Sequence, residues 1–292
     1  MQLPTNISLP FLAYGIFKPG ELSYCSIRDF VEKNEVTKIP GLLQERDGIP
    51  LLELHNEYAI EGYLLHFVAG HQDDAYNAIM DVEPSQVYKW AVIEINKVNA
   101  NVLVGKDSAL KKGAQHIEHA TVWNGKDDPC FKYGLNEVRR VLNDARSGTS
   151  GPGNKERYVE LFRLQMAYML LWSIIERFIT LKYYLRIAKN VEKVKRDKFA
   201  GDQAFQDALR KHVGTDRIGS EVFSSKDVGE SAERLDPDDP IGSYEYYRLL
   251  RNNIVHRGKA FDGDLRRITV SLDELLKIFG DVKDASFNQA AL

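Results

Sequence analysis

The chain has 292 residues, of which 43% are hydrophobic and 28% charged, and its formal net charge is −3. This composition excludes a wholly disordered chain, and the length suits two domains of ordinary size. Residues 1–146 carry 15 Lys/Arg and 20 Asp/Glu, a net charge of −5, whereas residues 147–292 carry 24 and 22, a net charge of +2. The second half is therefore the better candidate to bind a polyanion.

Cysteine usage and hydropathy indicate the compartment. Cys25 and Cys130 show no CxxC and no metal-ligand spacing, so neither a disulfide framework nor a metal or other cofactor is predicted. The N-terminus lacks the basic and apolar segments of a signal peptide. The most apolar stretch, 166–175, is about half the roughly 20 residues of a membrane span, which favours a buried helix. We expect a cytoplasmic protein without a membrane partner.

Residues 1–145 are predicted to form an α+β domain. Short apolar runs predict strands, and amphipathic runs between them predict two helices. The strands are predicted at 11–17, 51–54, 60–68, 90–98 and 119–123, and the helices at 26–33 and 71–80. Such a mixture favours a small mixed β-barrel or curved sheet with helices.

The second half has a different character. Residues 146–155 are rich in Gly, Ser and Pro and predict a flexible linker. From Glu156 onward apolar residues recur at helical spacing, so residues 156–292 are predicted to be an all-α bundle. Three further features are an insertion at 214–242, a possible strand at 267–270 and a short helix at 272–279. A helix is also predicted from Ser243, a good N-cap, to Arg257, with Gly258 just beyond its end.

The first functional candidate combines a strand end with a glutamate. Tyr14 and Gly15 close the first predicted strand, and a glycine there lets backbone N–H groups approach a ligand. Glu83 follows the second predicted helix. A carboxyl group beside an apolar sheet can have a raised pKa and act as a base near neutral pH. A capping or solvated glutamate is the alternative.

The motifs around these residues resemble those of the γ-glutamylcyclotransferase-like (AIG2-like) family. The segment Tyr14-Gly15-Ile16-Phe17-Lys18-Pro19-Gly20 is similar to the family's Y-G-[ST]-L-[RK]-x-G opening. Further similar segments follow in the family's order at 39–43, 48–50, 60–64 and 79–83, the last followed by Tyr88. The resemblance spans most of residues 11–123.

This resemblance implies a ligand and a reaction. The backbone of Tyr14, Gly15, Ile16 and Phe17 would hold the α-carboxylate and amine of a γ-glutamyl group. Glu83 would take a proton from that amine, which attacks the γ-carbonyl and releases 5-oxoproline and a second amine. Three positions depart from the family pattern, namely Ile16 for Ser/Thr, Met80 for Asp and Trp90 for a basic residue. A domain that keeps the fold and pocket without the reaction is therefore the alternative.

The second functional candidate lies in the predicted helix 243–257. Asn252 and His256 are four residues apart and share one face, and the neighbouring Arg251 is long enough to reach it. Histidine transfers protons near neutral pH, and arginine binds a phosphate and the charge that develops on it. In RNA the 2′-OH can be the nucleophile, so no metal is required. Alternatively, His256 complements the helix dipole and Arg251 forms a surface ion pair.

Arg251-Asn252-x-x-x-His256 resembles the R-N-x-x-x-H signature of the HEPN superfamily of helical domains, and Trp172 with Glu176 resembles its aromatic-plus-Glu first helix. The resemblance covers about residues 156–280. It implies a homodimer in which two motifs form one metal-independent endoribonuclease site. Arg251 and His256 would carry the chemistry, Asn252 would orient the groups and Glu176 would position the arginine.

Three functions remain open from the sequence. The first is an RNA-cleaving HEPN enzyme, a toxin or defence effector, coupled to a cyclotransferase-like small-molecule domain. The second is a cyclotransferase whose helical domain serves dimerisation, and the third is a binding protein without activity. A run of basic residues with two tyrosines at 182–198 fits RNA, although a solvated helix face is the more common explanation of such runs.

Overall fold

The computed structural model describes residues 1–46, 48–83, 85–111, 114–116, 121–147, 154–183, 191–223, 232–257 and 262–290. The chain forms two compact units. The first comprises Met1–Asp128, Thr180–Ala188 and Phe287–Leu292, and the second comprises Pro129–Ile179 and Lys189–Ser286. Of the predicted linker, 148–153 lies outside the described residues. The helix that ends at Arg146 belongs to the second unit.

The first unit is mixed α and β. Within its described residues, the strands are β1 (Phe11–Ala13), β2 (Val31–Pro40), β3 (Leu42–Arg46), β4 (Ile49–Glu53), β5 (Ala59–Phe67), β6 (Tyr88–Ile95), β7 (Val98–Gly105) and β8 (Gln115–His116). The α-helices of the same part are α1 (Gln72–Val82) and the single turn α2 (Asp107–Leu110).

The strands of the first unit build two sheets. One has five strands in the order β2-β5-β1-β7-β6, and the other has three in the order β4-β3-β8. In the larger sheet β1 runs parallel to β7 and antiparallel to β5, and all three of its residues are buried. Among the described strands the sheets do not close into a barrel. The central position of β1 directs the chain that follows it into the interior of the unit.

Several strand and helix predictions need correction. The helix predicted at 26–33 is wrong, because short 3-10 turns occupy Leu22–Ser26 and Arg28–Phe30 and β2 begins at Val31. The strand predicted at 90–98 is two strands joined by Asn96 and Lys97, both with positive φ as in a tight hairpin turn. The first strand ends at Ala13 rather than residue 17. Residues 117–120 lie outside the described part, and 121–123 are not strand.

The second unit is mainly helical. Its helices are α3 (Leu135–Arg146), α4 (Asn154–Tyr183), α5 (Val191–Ala200), α6 (Gln203–His212), α7 (Pro240–Arg257) and α8 (Asp262–Ala290), of which α4 and α8 end in residues of the first unit. Two short antiparallel strands, β9 (Glu221–Val222) and β10 (Glu233–Arg234), pair within the predicted insertion. Residues 224–231 of that insertion are outside the described part. The possible strand at 267–270 and the short helix at 272–279 are both parts of α8.

The start of α7 also differs from the prediction. The helix begins at Pro240, and the Asp239 carboxylate accepts the backbone N–H of Gly242 at 2.9 Å, which is the contact of an N-cap. Proline at the first helical position needs no N–H partner. Ser243 is buried inside the helix, where its hydroxyl donates to the Asp236 carbonyl at 2.6 Å. The predicted cap is therefore wrong by four residues. Gly258 lies outside the described part.

Helix α4 is the centre of the second unit. Its apolar residues at helical spacing are buried as predicted, and Phe178 packs edge-on against Phe279 and Phe199. Within the described residues, the segment Glu156–Tyr183 is the one helix whose length and hydropathy would allow it to cross a membrane. Half of its most apolar window is buried inside the protein, as in the core helix of a folded domain.

A buried ion pair fastens α8 to the segment before β9. Arg217 donates from Nε to Glu274 Oε1 at 2.9 Å, and its Nη2 donates to Ser271 and Tyr246. The Tyr247 hydroxyl also donates to Glu274, which is 5% exposed. Because every oxygen and nitrogen of this pair is surrounded by partners, its charges are tolerated in the interior.

Arg217→Ala should lower the free energy of unfolding by about 3 to 5 kcal/mol, since it leaves Glu274 buried without its cation. Urea denaturation followed by circular dichroism measures the change. Arg210→Ala is the control, because Arg210 pairs with the exposed Asp238 and should cost less than about 1 kcal/mol. Equal losses in the two variants would contradict a structural role for the buried pair.

Candidate functional site: a cleft at the end of the central strand

A cleft in the first unit collects five of the residues predicted from the sequence. The cleft is small and is lined by Tyr14, Gly15, Ile16, Phe17 and Glu83. The other lining residues are Phe11, Ala13, Pro50, Tyr88 and Leu103. Glu83 is far along the chain from the turn after β1, so the fold has brought two separate motifs to one cavity. Glu83 carries the one carboxyl group of this lining, and Tyr14 and Tyr88 are its two phenols.

The turn after β1 lies directly against β4. A Cβ atom added to Gly15 would be 2.7 Å from Cγ of Pro50, which is closer than real Cβ atoms come. Only glycine therefore allows this approach. Gly62 of the neighbouring strand β5 is constrained in the same way, because its Cβ would be 2.8 Å from the Ala13 carbonyl oxygen. Both glycines belong to the motifs that first indicated the site.

The same turn lines the cleft, and its backbone is only partly hydrogen-bonded. Its carbonyls are used, since Gly15 O accepts from Lys18 N at 3.1 Å and Ile16 O accepts from Ser23 N at 3.2 Å. Among the described residues, the N–H groups of Gly15, Ile16 and Phe17 have no hydrogen-bond acceptor. Consecutive free N–H groups at a turn form a concavity suited to an anionic group. A ligand carboxylate is the natural partner of this cradle.

Glu83 provides the acid–base group. It follows α1 directly, its N–H bonds the Ile79 carbonyl at 3.1 Å, and its side chain is buried with 6% exposure. Burial raises the pKa of its carboxyl group from 4.5 to about 8, and no nearby cation offsets the effect. At neutral pH the group is therefore mostly a neutral acid, and it becomes a base as pH approaches 8.

Two tyrosines flank Glu83 and bond β4 in opposite senses. The Tyr14 hydroxyl oxygen accepts the backbone N–H of Leu52 at 3.1 Å, whereas the Tyr88 hydroxyl donates to the Pro50 carbonyl at 2.5 Å. Burial, together with the Glu83 charge, raises the pKa of both phenols, so both keep their protons. Tyr88 and Pro50 were not predicted as site residues. The motif in which a tyrosine follows the glutamate was the signal for Tyr88.

Buried polar groups brace the segment just beyond the turn. The Lys18 ammonium group donates to the Trp123 carbonyl at 2.5 Å, and the Glu21 carboxylate accepts the Gly125 N–H at 3.0 Å. Burial raises the pKa of Glu21 to about 7, partly offset by the Gly125 hydrogen bond and the Lys18 charge. Gly20 N also bonds the Ala290 carbonyl at 2.6 Å. These hydrogen bonds fix the segment 18–21, which follows the turn that lines the cleft.

The second predicted constellation lies in the second unit and is brought together in part. The Arg251 guanidinium donates from Nη1 to Asn252 Oδ1 at 2.9 Å, and its Nη2 is 4.0 Å from Glu176 Oε1. Trp172 Nε1 donates to the same Glu176 oxygen at 2.8 Å. His256 belongs to α7, but its side chain lies outside the described part of the structure. Glu176 therefore lies beside Arg251.

The predicted basic run is partly neutralised. Residues 184–190 lie outside the described part. Of the remainder, Lys195 is 3.5 Å from Glu192, and Arg196 contacts both Asp197 at 2.8 Å and Glu245 at 3.4 Å. These ion pairs offset part of the positive charge of the run.

Comparison of the chain with family models, with curated proteins and with solved structures found no match. Within the described residues, no group of three or more His, Cys, Asp or Glu side chains is arranged to hold a metal ion. The function of the chain is therefore inferred from the geometry of the cleft in the first unit and of the Arg251 cluster in the second.

Glu83→Gln should stabilise the protein more at pH 8 than at pH 5. The raised pKa means that the folded protein keeps a proton that the unfolded chain releases above pH 4.5, so wild-type stability falls between pH 4.5 and about 8. Glutamine removes this penalty, which is on the order of a few kcal/mol. Thermal melting of both proteins at several pH values measures it.

Glu94→Gln, at an exposed position on β6, is the control and should leave the pH dependence of melting unchanged. A Glu83→Gln melting curve that tracks the wild type at every pH would contradict the raised pKa.

Proposed function

We propose that the first unit binds a γ-glutamyl amine in the cleft and releases 5-oxoproline from it, as the resemblance to the γ-glutamylcyclotransferase-like family implies. One observation carries the proposal: residues 15–17, whose backbone N–H groups have no acceptor among the described residues, and a buried carboxyl group of raised pKa line the same small cavity. An α-amino acid end group needs both, an anion site for its carboxylate and a proton acceptor for its ammonium group.

The reaction follows from these roles. The N–H groups of Gly15, Ile16 and Phe17 hold the α-carboxylate, and the Glu83 carboxylate takes a proton from the α-ammonium nitrogen. That nitrogen attacks the γ-carbonyl carbon, a C–N bond forms within the substrate, and the γ-amide C–N bond breaks. The α-nitrogen loses two protons and the departing amine gains two, so no co-reactant is consumed. Because nucleophile and carbonyl share one molecule, positioning supplies much of the rate.

The departures from the family pattern bear on substrate choice. Ile16 lines the cleft with hydrocarbon where the family has a hydroxyl, and Phe11, Phe17 and Leu103 add to this apolar wall. Trp90 packs edge-on against Phe11, with ring centres 5.9 Å apart, and donates to the Gln2 carbonyl. Its indole thus serves the core of the unit rather than a charged ligand. A cleft of this kind favours a compact γ-glutamyl group with little polar surface beyond its amino acid end.

The test is release of 5-oxoproline from a panel of γ-glutamyl amines, followed by chromatography. The wild type should release it, with kcat/KM rising as pH approaches 8 because the base form of Glu83 accumulates. Glu83→Gln should lower kcat at least 100-fold, and Glu94→Gln should leave it within twofold. Activity that survives in Glu83→Gln, or a wild type that releases no 5-oxoproline from any of the panel, would reject the proposal.

The second candidate function is metal-independent RNA cleavage by a homodimer of the second unit, as the HEPN resemblance implies. The observation that favours it is the contact series Trp172–Glu176–Arg251–Asn252, in which one guanidinium group is hydrogen-bonded to an amide and lies 4.0 Å from a carboxylate. An arginine in such a position is suited to bind a phosphate. With the cyclotransferase-like unit, such a protein would act as a cytoplasmic toxin or defence effector.

RNA cleavage in the presence of EDTA tests this candidate. Arg251→Ala and His256→Ala should each lower cleavage at least 100-fold, while the dimer persists in size-exclusion chromatography. Arg248→Ala is the matched control, because Arg248 lies one turn away on α7 and its side chain is 33% exposed against 30% for Arg251. Equal cleavage by Arg248→Ala and Arg251→Ala, or a strictly monomeric wild type, would reject the nuclease.

A further inference from the structure

The hydroxyl groups of the two cleft tyrosines, Tyr14 and Tyr88, make hydrogen bonds of opposite direction. The Tyr88 hydroxyl donates its proton to the Pro50 carbonyl. The Tyr14 hydroxyl instead receives the Leu52 N–H, so its oxygen is occupied as an acceptor and its proton remains to be donated. Among the described residues no acceptor takes that proton. A buried hydroxyl normally finds an acceptor, so an uncommitted one at the wall of a cavity is available to donate to a bound ligand.

We propose that Tyr14 is a catalytic residue of this cleft, whose hydroxyl donates a hydrogen bond to the γ-carbonyl oxygen of the substrate. This inference rests on the proposed cyclotransferase function and goes beyond it, because that function uses only the backbone of residue 14. As the α-nitrogen attacks, negative charge develops on the γ-oxygen, and a fixed donor stabilises it. The proton stays on Tyr14 throughout, so no transfer from the phenol is involved.

The surroundings of Tyr14 fit this role. The Leu52 N–H fixes the position of the phenol oxygen and, by donating to it, makes the O–H a better donor. Burial and the Glu83 charge raise the pKa of Tyr14, which keeps the donor protonated at the alkaline pH where Glu83 acts as base. Ile16 offers no hydroxyl at the position where the family has one. Tyr14 therefore supplies the side-chain donor that the cleft would otherwise lack.

A buried tyrosine outside the cleft lining provides the control. Tyr14→Phe and Tyr76→Phe each delete one buried hydroxyl and its hydrogen bonding, but Tyr76 does not line the cleft and its hydroxyl already donates to the Leu9 carbonyl. With the full-length protein and the best γ-glutamyl amine of the panel, Tyr14→Phe should lower kcat about 100-fold. Its KM should stay within threefold and its activity should still rise towards pH 8. Tyr76→Phe should stay within fivefold of the wild-type kcat, and thermal melting should show that both variants fold.

The outcomes separate this inference from the function on which it rests. If Glu83→Gln is inactive but Tyr14→Phe keeps wild-type kcat, the cyclotransferase function stands and the role of Tyr14 is overturned. The same holds if the two tyrosine variants lose activity equally, or if only Tyr14→Phe fails to fold, since the hydroxyl then serves β4. A wild type without 5-oxoproline release overturns both. A selective fall in the kcat of Tyr14→Phe supports the inference.

Discussion

The close approach of the turn after β1 to strand β4 is the constraint on which the cleft depends. Gly15 lies so near Pro50 that no side chain fits between them. This contact places residues 15–17 at the wall of the cavity, and the Tyr14 phenol accepts the Leu52 N–H. Strand β1 ends after three residues, so the donors at 15–17 are not paired within its sheet.

A second property of the cleft is that its chemistry weakens the fold. A carboxyl group buried without a cation lowers stability at every pH above its unfolded pKa, and burial raises the pKa of Glu83 in this way. Evolution tolerates such groups where reactivity requires them. The polar pair in the second unit differs, since Arg217 neutralises Glu274 and several hydroxyls surround both. A buried carboxyl group without a cation, such as Glu83, is suited to proton transfer. An ion pair surrounded by hydrogen-bond partners, such as Arg217–Glu274, is suited to a structural role.

How far the sequence predicts this protein depends on the range of the interactions involved. Local periodicity identified β5, α1 and the buried stripe of α4, and family-like motifs identified Tyr14 to Phe17 and Glu83. The segment 31–40 was harder, because an edge strand that pairs only with β5 keeps polar residues at 32–35 and lacks an apolar alternation. Ser243 looked like a cap until Asp239 and Pro240 provided a better one. The position of Pro50 against Gly15, and the opposite senses of the two tyrosine hydrogen bonds, depend on tertiary contacts that no local pattern encodes.

The electrostatics of the cleft also suggest how one glutamate can serve binding and catalysis in turn. The lining has no cationic side chain, so an ionised Glu83 would repel an approaching carboxylate. At neutral pH the group is mostly protonated, and the backbone donors can accept the anion without opposition. Once an amino acid end group is bound, its ammonium group lies near Glu83 and favours the carboxylate form, because an opposite charge lowers the pKa of an acid. In the proposed reaction the substrate thus generates the base that acts on it. An empty cleft keeps Glu83 protonated, which avoids a buried charge while no ligand compensates for it.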